Sequence, residues 1–132
     1  MIKELSIRTS SQVELIDITG EIEELIRESK VKSGLLTVFV PHTTAGITIN
    51  ENADPSVRKD IIKELSKVIP FDDNYYHSEG NSAAHIKASL VGFSETIFFE
   101  DKRLLLGTWQ GIYFCEFDGP RTRKVWVKIL EG

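Results

Sequence analysis

Short strand-like segments fill the second half of the chain and limit the folds that it can adopt. Residues 96–99, 104–106, 108–117 and 123–130 are each rich in apolar or aromatic residues, and turn-forming residues separate them. Segments of this length, bounded by turns, are typical of antiparallel strands. Because strands outnumber helices, the sequence predicts an α+β fold: a mixed, mostly antiparallel sheet, sandwich-like or barrel-like, with about three helices.

The first half of the chain supplies further strands and two of the predicted helices. Residues 2–8 and 13–18 alternate between apolar and polar positions on either side of a short polar segment, which predicts an opening hairpin. Residues 35–40 are apolar on both faces, which predicts a strand inside a sheet. Thr19 and Asp54 each stand before an amphipathic helical pattern and are predicted to cap the helix N-terminus.

Length and composition indicate one globular domain that spans residues 1–132. The net charge of −4 argues against a general attraction to nucleic-acid backbones. The single cysteine, Cys115, excludes an intrachain disulfide and fits a reducing compartment. No apolar run approaches the length of a membrane span, and the first residues lack the apolar core of a signal peptide. We therefore expect a cytoplasmic protein that binds neither nucleic acid nor membranes.

Two of the three histidines lie in one short polar segment, residues 77–85. Asn81 is placed to begin a helix, and on that helix it shares a face with His85, four residues later. His77 and Glu79 lie in the loop just before this helix. These polar groups predict a ligand-binding surface. The alternative is that Asn81 only caps the helix and that the histidines only make structural hydrogen bonds.

The third histidine begins a second polar surface. If residues 42–51 are extended, His42 and Asn50 point to the same side of the strand. Neutral imidazoles bind zinc and similar ions, so the three histidines are predicted metal ligands. Carboxylates would complete or orient such a site, and the candidates are Glu51, Asp54 and Glu79. The competing prediction is that one histidine acts as a general acid or base.

The long strand predicted over residues 108–117 carries Gln110 and Glu116 on one side. At the usual rise of a strand these two side chains lie about 20 Å apart, which is too far for one site in one subunit. Either the strand bends or the sites are shared between subunits. Trp109, beside Gln110, is expected either to pack within the protein or to stack on a ligand.

Arg121 and Arg123 lie at and just after a predicted turn at residues 118–121, on the same side of an extended chain. Guanidinium groups bind phosphate or carboxylate through two parallel hydrogen bonds. The two arginines are therefore predicted to bind the anionic part of a ligand. The alternative is that this segment is a tight turn with no function of its own.

Five strings of the sequence resemble motifs of the YjbQ-like family, in the family's order and over nearly the whole chain. They are Pro41–Gly46, Asn50–Pro55, His77–His85, Leu106–Gln110 and Glu116–Arg123. The resemblance implies a small α+β protein that assembles as a homotrimer and has secondary thiamine-phosphate synthase activity. That reaction joins a pyrimidine-methyl diphosphate to a thiazole phosphate and releases diphosphate.

The site residues that the resemblance implies stand within these strings. The predicted catalytic residues are His42, His77, His85, Glu79 and Glu51. The predicted substrate-binding residues are Asn50, Asp54, Asn81, Trp109, Gln110, Arg121 and Arg123. The predicted metal ligands are His42, His77 and His85.

Release of diphosphate requires positive charge near the leaving group, either from a divalent metal ion or from arginines. Three histidines favour a zinc-like ion, whereas magnesium, which prefers oxygen ligands, would accompany a diphosphate substrate. The expected partner is a small phosphorylated molecule. Two other functions stay open: a metal-dependent hydrolase of a small anionic metabolite, and a small-molecule-binding trimer without catalysis.

Overall fold

The computed structural model describes all 132 residues, which form eight strands and three helices. The strands are β1 (Ile2–Arg8), β2 (Glu14–Asp17), β3 (Gly34–Phe39), β4 (Ala45–Glu51), β5 (Ser94–Glu100), β6 (Arg103–Leu104), β7 (Gln110–Glu116) and β8 (Thr122–Glu131). The helices are α1 (Thr19–Glu28), α2 (Pro55–Val68) and α3 (Ser82–Val91). A large sheet has the order β1-β8-β3-β5-β6, and a small sheet has the order β2-β7-β4. Every strand pair is antiparallel, which confirms the predicted α+β fold.

The small sheet is the middle layer of the molecule. One of its faces packs on the large sheet and on α1, in a core that contains Leu36, Phe114 and Ile22. Its other face packs on α2 and α3, in a second core that contains Tyr113 and Ala84. Strand β7 is therefore buried on both faces, which explains its nearly continuous run of apolar residues.

The helix starts confirm one predicted cap and correct another. The carboxylate of Asp54 accepts a hydrogen bond from the backbone N–H of Ser56 and caps α2. The prediction that Thr19 caps α1 is wrong, because Thr19 is already the first residue of the helix. Its hydroxyl donates to Asp17 and accepts from the backbone N–H of Ile112, which ties the start of α1 to β7. None of the helices is long and apolar enough to cross a membrane.

The predicted opening hairpin does not form. Strand β1 pairs with β8 and β2 pairs with β7, so the two strands belong to different sheets. The residues between them bond to the connection between β7 and β8: the backbone N–H of Thr9 donates to Arg121, and that of Gly119 donates to Gln12. The alternating pattern identified both strands, but such a pattern does not specify which strand each one pairs with.

Three connections cross from one sheet to the other at the same end of the molecule. They are residues 9–13, 40–44 and 117–121, and we call the place where they meet the sheet junction. Gly119, in the last of these connections, lies against the first. A Cβ atom on Gly119 would lie 2.4 Å from the carbonyl oxygen of Ser11, so a side chain would force the connections apart. The candidate functional site is built on this junction.

Candidate functional site

A cleft of about 800 Å³ opens at the sheet junction. Its walls come from the β3–β4 connection, from α3 with the loop before it, and from the β7–β8 connection. The predicted site residues that it brings together are His42, His77, Glu79, Asn81, His85, Arg121 and Arg123. Most of the polar groups predicted from the two halves of the sequence therefore share one surface.

His77 and His85 form a pair within the cleft. Their ring centroids are 5.8 Å apart and the rings are nearly perpendicular, with an interplanar angle of 82°. His85 lies in the first turn of α3, while His77 precedes the helix and has a carboxylate oxygen of Glu79 3.9 Å from its Nε2. Neither histidine is buried, so both rings are accessible to a ligand or to water.

His42 has a different environment from the other two histidines. Its Nε2 accepts a hydrogen bond of 2.9 Å from the backbone N–H of Lys124. Strand β3 ends at Phe39, before it reaches a position opposite Lys124, so the imidazole supplies the acceptor that the strand no longer offers. Burial and the positive charge of Arg123 lower the pKa of His42, and its ring is therefore neutral at neutral pH.

Arg123 is buried beside the cleft and forms an ion pair with Glu116, which is also buried. Its Nε and Nη2 groups donate to the Glu116 carboxylate and to the hydroxyl and carbonyl oxygens of Thr44. Burial alone would raise the pKa of Glu116, but hydrogen bonds from Arg123 and Thr9 hold it below its usual value. The charge of Arg123 is thus compensated inside the protein, and only Nη1 lacks a protein partner.

Arg121 is the more exposed arginine of the cleft, with 51% of its side chain accessible to solvent. Its Nε donates to the carbonyl oxygen of Asp118 at 2.9 Å, and its Nη2 donates to the Asp118 carboxylate at 3.2 Å. Its backbone N–H donates to the hydroxyl of Thr9. These bonds hold the guanidinium group beside the cleft and leave its Nη1 available to an anion.

Asn81 lies at the predicted N-cap position of α3, but its side chain makes no capping bond. Instead, Nδ2 donates to Glu79 at 3.1 Å and to Asp118 at 2.9 Å. These two carboxylates fix the orientation of the amide, because a flipped amide would place its oxygen against both of them. The other end of the amide, Oδ1, is buried without a hydrogen-bond partner. Asn81 therefore links the loop before α3 to the β7–β8 connection.

Five predicted site residues lie outside the cleft, and we call them the far-end group. They are Asn50, Glu51, Asp54, Trp109 and Gln110. The pairing of β4 with β7 places Glu51 opposite Gln110, whereas Ala45 lies opposite Glu116 at the sheet junction. The length of the small sheet thus separates the far-end group from the cleft.

Most side chains of the far-end group make hydrogen bonds to residues close to them in the sequence. The Glu51 carboxylate accepts from the backbone N–H of Asp54, and the Asp54 carboxylate in turn caps α2. The side-chain oxygen of Gln110 accepts from the backbone N–H of Gly107 at 2.8 Å, which closes the turn before β7. Trp109 is 62% exposed and does not pack into the core.

One expectation about strand geometry needs correction. The segment after His42 is not extended throughout, because β4 begins only at Ala45, and His42 does not share a surface with Asn50. Gln110 and Glu116 do lie at opposite ends of β7, as expected. However, Glu116 finds all of its partners within its own chain, so its burial does not require a subunit contact.

The structure contains no group of three His, Cys, Asp or Glu side chains that could hold one metal ion. Zinc in proteins is held by at least three side chains, so the residues of one chain do not form a complete zinc site. His42 differs from the histidine pair, because its Nε2 already accepts a hydrogen bond from the backbone N–H of Lys124. The three-histidine metal site stays a prediction.

Three residues of the cleft and its supporting bonds were not predicted: Asp118, Thr9 and Thr44. Asp118 stands between Glu116 and Arg121 in the last of the five strings, and this position is the signal that could have identified it. Thr44 stands in the first of the five strings and has the same signal, whereas Thr9 has none. Each is far along the chain from the ion pair that it contacts.

The fold and the cleft define a class: small two-sheet α+β proteins whose sheet junction carries a histidine pair and an arginine. The chain belongs to the YjbQ family, since the family model described as UPF0047 protein YjbQ-like matches residues 3–132. The resemblance seen in the five strings is thus confirmed.

Relatives in distant organisms share most of the sequence. A UPF0047 protein of Methanocaldococcus jannaschii is 60% identical over 130 residues, which cover 98% of this chain and 94% of that protein. The UPF0047 protein YugU of Bacillus subtilis is 53% identical over 131 residues, which cover 98% of this chain and 99% of that protein.

Solved structures of the family have the same fold. A crystal structure of a YjbQ/UPF0047 family protein from Clostridium acetobutylicum has a TM-score of 0.94 and 58% identity, covering 97% of this chain and 99% of that one. A YbjQ-like protein from Sulfolobus solfataricus, described as of unknown function, has a TM-score of 0.94 at 31% identity, covering 100% of this chain and 97% of that one. The two-sheet fold therefore persists at much lower sequence identity.

Proposed function

We propose that the cleft binds a small phosphorylated molecule and that the His77–His85 pair transfers a proton in a reaction of that molecule. The observation that carries this proposal is the presence of the histidine pair and Arg121 in one cleft. A guanidinium group recognises phosphate through its N–H groups, and an imidazole gains or loses a proton near neutral pH. The two together provide anion binding and general acid–base catalysis on one surface.

Arg121 is the residue that we expect to contact the phosphate. Its ion pair with Asp118 is partly exposed to solvent, so an incoming anion can share the guanidinium group without displacing a buried partner. Arg123 contributes less than the sequence suggests, because Glu116 already neutralises it. Its Nη1 group is the part that stays available to an anion.

The reaction that we propose to test first is the secondary thiamine-phosphate synthesis implied by the family resemblance. The thiazole nitrogen bonds to the methylene carbon of the pyrimidine while the bond from that carbon to diphosphate breaks. The electron pair of the broken bond leaves with the diphosphate. Arg121 would stabilise the negative charge of the leaving group, and a protonated histidine of the pair would donate a proton to it. We propose this reaction as a secondary activity of the cleft.

A divalent ion would supply further positive charge to the leaving diphosphate. His77 and His85 would supply two ligands of a zinc-like ion and would need a further ligand from a neighbouring subunit, while magnesium would be bound mainly by diphosphate oxygens. Metal analysis of the purified wild type and of the His85→Ala variant tests this part of the proposal. A stoichiometric ion that the variant loses would support it, and full activity after chelation would contradict it.

We also propose that the protein works as a homotrimer. The outer face of the large sheet exposes a group of large apolar side chains: Phe39, Phe98, Trp126 and Leu130. Phe39 stacks on Trp126 with ring centroids 6.0 Å apart, and it also lines the cleft. Exposed apolar patches of this kind mark contact surfaces, so a neighbouring subunit on this face would also border the cleft.

In such a trimer, the far-end group of one subunit would meet the cleft of the next, and each interface would form an equivalent site. The test combines solution mass at low protein concentration with mixing of two inactive variants, His85→Ala and Gln110→Ala. Recovery of activity in mixed trimers would support shared sites. A monomer that keeps full activity on dilution would contradict the proposal.

We also propose a cytoplasmic location. Cys115 is a free and buried thiol, which fits a reducing compartment. Burial raises the pKa of this thiol to about 12, so Cys115 is protonated at neutral pH and is not a candidate nucleophile.

Turnover assays of the purified protein separate the candidate functions. Product formed from a pyrimidine-methyl diphosphate and a thiazole phosphate, and lost in His85→Ala, would support the transferase. Metal-dependent release of phosphate from a small anionic metabolite would favour the hydrolase. Tight binding of a phosphorylated molecule without any turnover would favour a binding protein and would contradict the role assigned to the histidine pair.

A further inference from the structure

The hydrogen bond between His42 and the backbone of Lys124 determines where the imidazole carries its proton. A backbone N–H is only a donor, so the Nε2 atom that it contacts at 2.9 Å must be the unprotonated nitrogen of the ring. In a neutral imidazole the proton then lies on Nδ1. His42 is thus held in one tautomer by the end of the large sheet.

The Nδ1–H group of His42 has no acceptor in the protein. None of the hydrogen bonds of the structure uses this nitrogen, and Nδ1 is not among the buried polar atoms that lack a partner. The residue lines the cleft together with Arg121 and Arg123. The free N–H is therefore open to solvent or to a bound molecule.

We propose that His42 is a specificity-determining residue whose Nδ1–H donates a hydrogen bond to an oxygen of the anionic group bound by Arg121. This inference rests on the proposed function and adds a neutral donor to its cationic one. Such a donor binds oxygen acceptors and rejects N–H groups, because the nitrogen that could accept is already used by Lys124. The cleft would thus select ligands with an unprotonated oxygen, such as phosphate esters or diphosphates, at this position.

A purely structural role for His42 would also explain the bond to Lys124, and two substitutions separate the roles. In His42→Gln, the side-chain oxygen reaches the former Nε2 position and can accept from Lys124, but the donor at Nδ1 is lost. In His42→Asn, the amide nitrogen occupies the former Nδ1 position and keeps the donor, but the acceptor is lost. The two variants therefore remove opposite halves of the imidazole.

The test measures binding of inorganic diphosphate by isothermal titration calorimetry and stability by urea unfolding. We expect His42→Gln to bind diphosphate about 10- to 100-fold more weakly, as for loss of a hydrogen bond to a charged group, with stability close to wild type. We expect His42→Asn to be less stable and to bind more tightly than His42→Gln. Long-range ¹H–¹⁵N NMR of wild type should show a protonated Nδ1 and an unprotonated Nε2 before diphosphate is added.

The outcomes distinguish this inference from the function on which it rests. Diphosphate binding to His42→Gln with wild-type affinity would overturn the inference and leave the proposed function intact. An Nε2-protonated ring in the NMR spectrum would overturn it even if both variants failed to fold. The wild type itself could fail to bind diphosphate, with no change in the NMR signals of Arg121 when diphosphate is added. That result would overturn the proposed function and the inference with it.

Discussion

The two ends of the small sheet hold their polar residues in different ways. At the sheet junction, Glu116 is bonded to Thr9, 107 positions away, and Arg123 is bonded to Thr44, 79 positions away. The two threonines come from two different connections, and the ion pair that they contact, between β7 and β8, is buried. The arrangement exists only when both sheets are complete.

At the far end, polar side chains bond to their near neighbours in the sequence. Gln110 bonds to Gly107, three residues away, and Asp54 bonds to Ser56, two residues away. Such bonds form wherever the local turn or helix forms, and they stabilise that element alone. Similar polar motifs therefore have different roles in the two places. The cleft depends on the whole fold, whereas the far-end group stabilises local structure unless a neighbouring subunit contacts it.

The largest effect that we expect comes from breaking the buried ion pair. Glu116→Ala leaves Arg123 buried without its counter-ion, so the free energy of unfolding should fall by about 3–5 kcal/mol. Gln110→Ala, at the other end of the same strand, should cost no more than about 1 kcal/mol, because its single local bond is exposed. Urea unfolding of both variants measures the difference. Equal losses would show that the two ends are held alike.

The second prediction concerns the ligand and not the fold. Arg121→Ala should weaken the binding of a phosphorylated ligand by about 10- to 100-fold and should have much less effect on its dephosphorylated analogue. Arg103→Ala is the matched control, because Arg103 is exposed and lies outside the cleft. Calorimetric titration provides both affinities. Equal losses for the two ligands would show that Arg121 only supports the turn that contains Asp118.

The third prediction is a loss of stability in acid to which the junction contributes. Because the pKa of Glu116 is held below 4.5, the unfolded chain takes up a proton before the folded one does as the pH falls. The contribution of Glu116 is therefore complete above pH 4.5 and is lost below it. The lowered pKa of His42 acts in the same direction below pH 6.5, since the unfolded chain again binds the proton first.

Urea unfolding at a series of pH values measures this dependence. In Glu116→Gln the decline below pH 4.5 should be shallower than in the wild type, because the substituted residue no longer titrates. If the decline below pH 4.5 were unchanged in this variant, the groups that cause it would lie elsewhere in the molecule.

The smallest effect should come from the far end. Asp54→Ala removes the cap of α2 and should lower the free energy of unfolding by about 1 kcal/mol. Asp54→Ser should recover most of this loss, because serine is also a good N-cap residue. Thermal or urea unfolding of the two variants is sufficient. A loss as large as that of Glu116→Ala would show that Asp54 has long-range partners after all.

Local features of the sequence predicted much of the fold. The segments of alternating or continuous apolar residues correspond to strands, and the Asp54–Pro55 pair marks the start of α2. Strand partners were harder to predict, because alternation is the same whichever strand lies alongside. For this reason residues 2–8 and 13–18 suggested a hairpin, although they belong to different sheets.

The sequence predicted most of the site residues that line the cleft. It did not predict that the other site residues form a separate far-end group. The motif strings contain both groups of residues, and no local pattern indicates that β4 and β7 separate them. The burial of Arg123 was also hidden, because two arginines on one side of a strand look alike until their partners are known. Their partners distinguish them. Glu116 neutralises the buried Arg123, whereas Arg121 lies at the surface and pairs with Asp118.

The pairing of the first strand with the last has a consequence for the order of events during synthesis. Strand β1 pairs along its whole length with β8, from Ile2 opposite Lys128 to Arg8 opposite Thr122. On the ribosome, β1 has no partner until β8 emerges, so the large sheet is completed only after β8 has been synthesised. A premature stop after Lys124 would therefore abolish the cleft without deleting any residue that lines it.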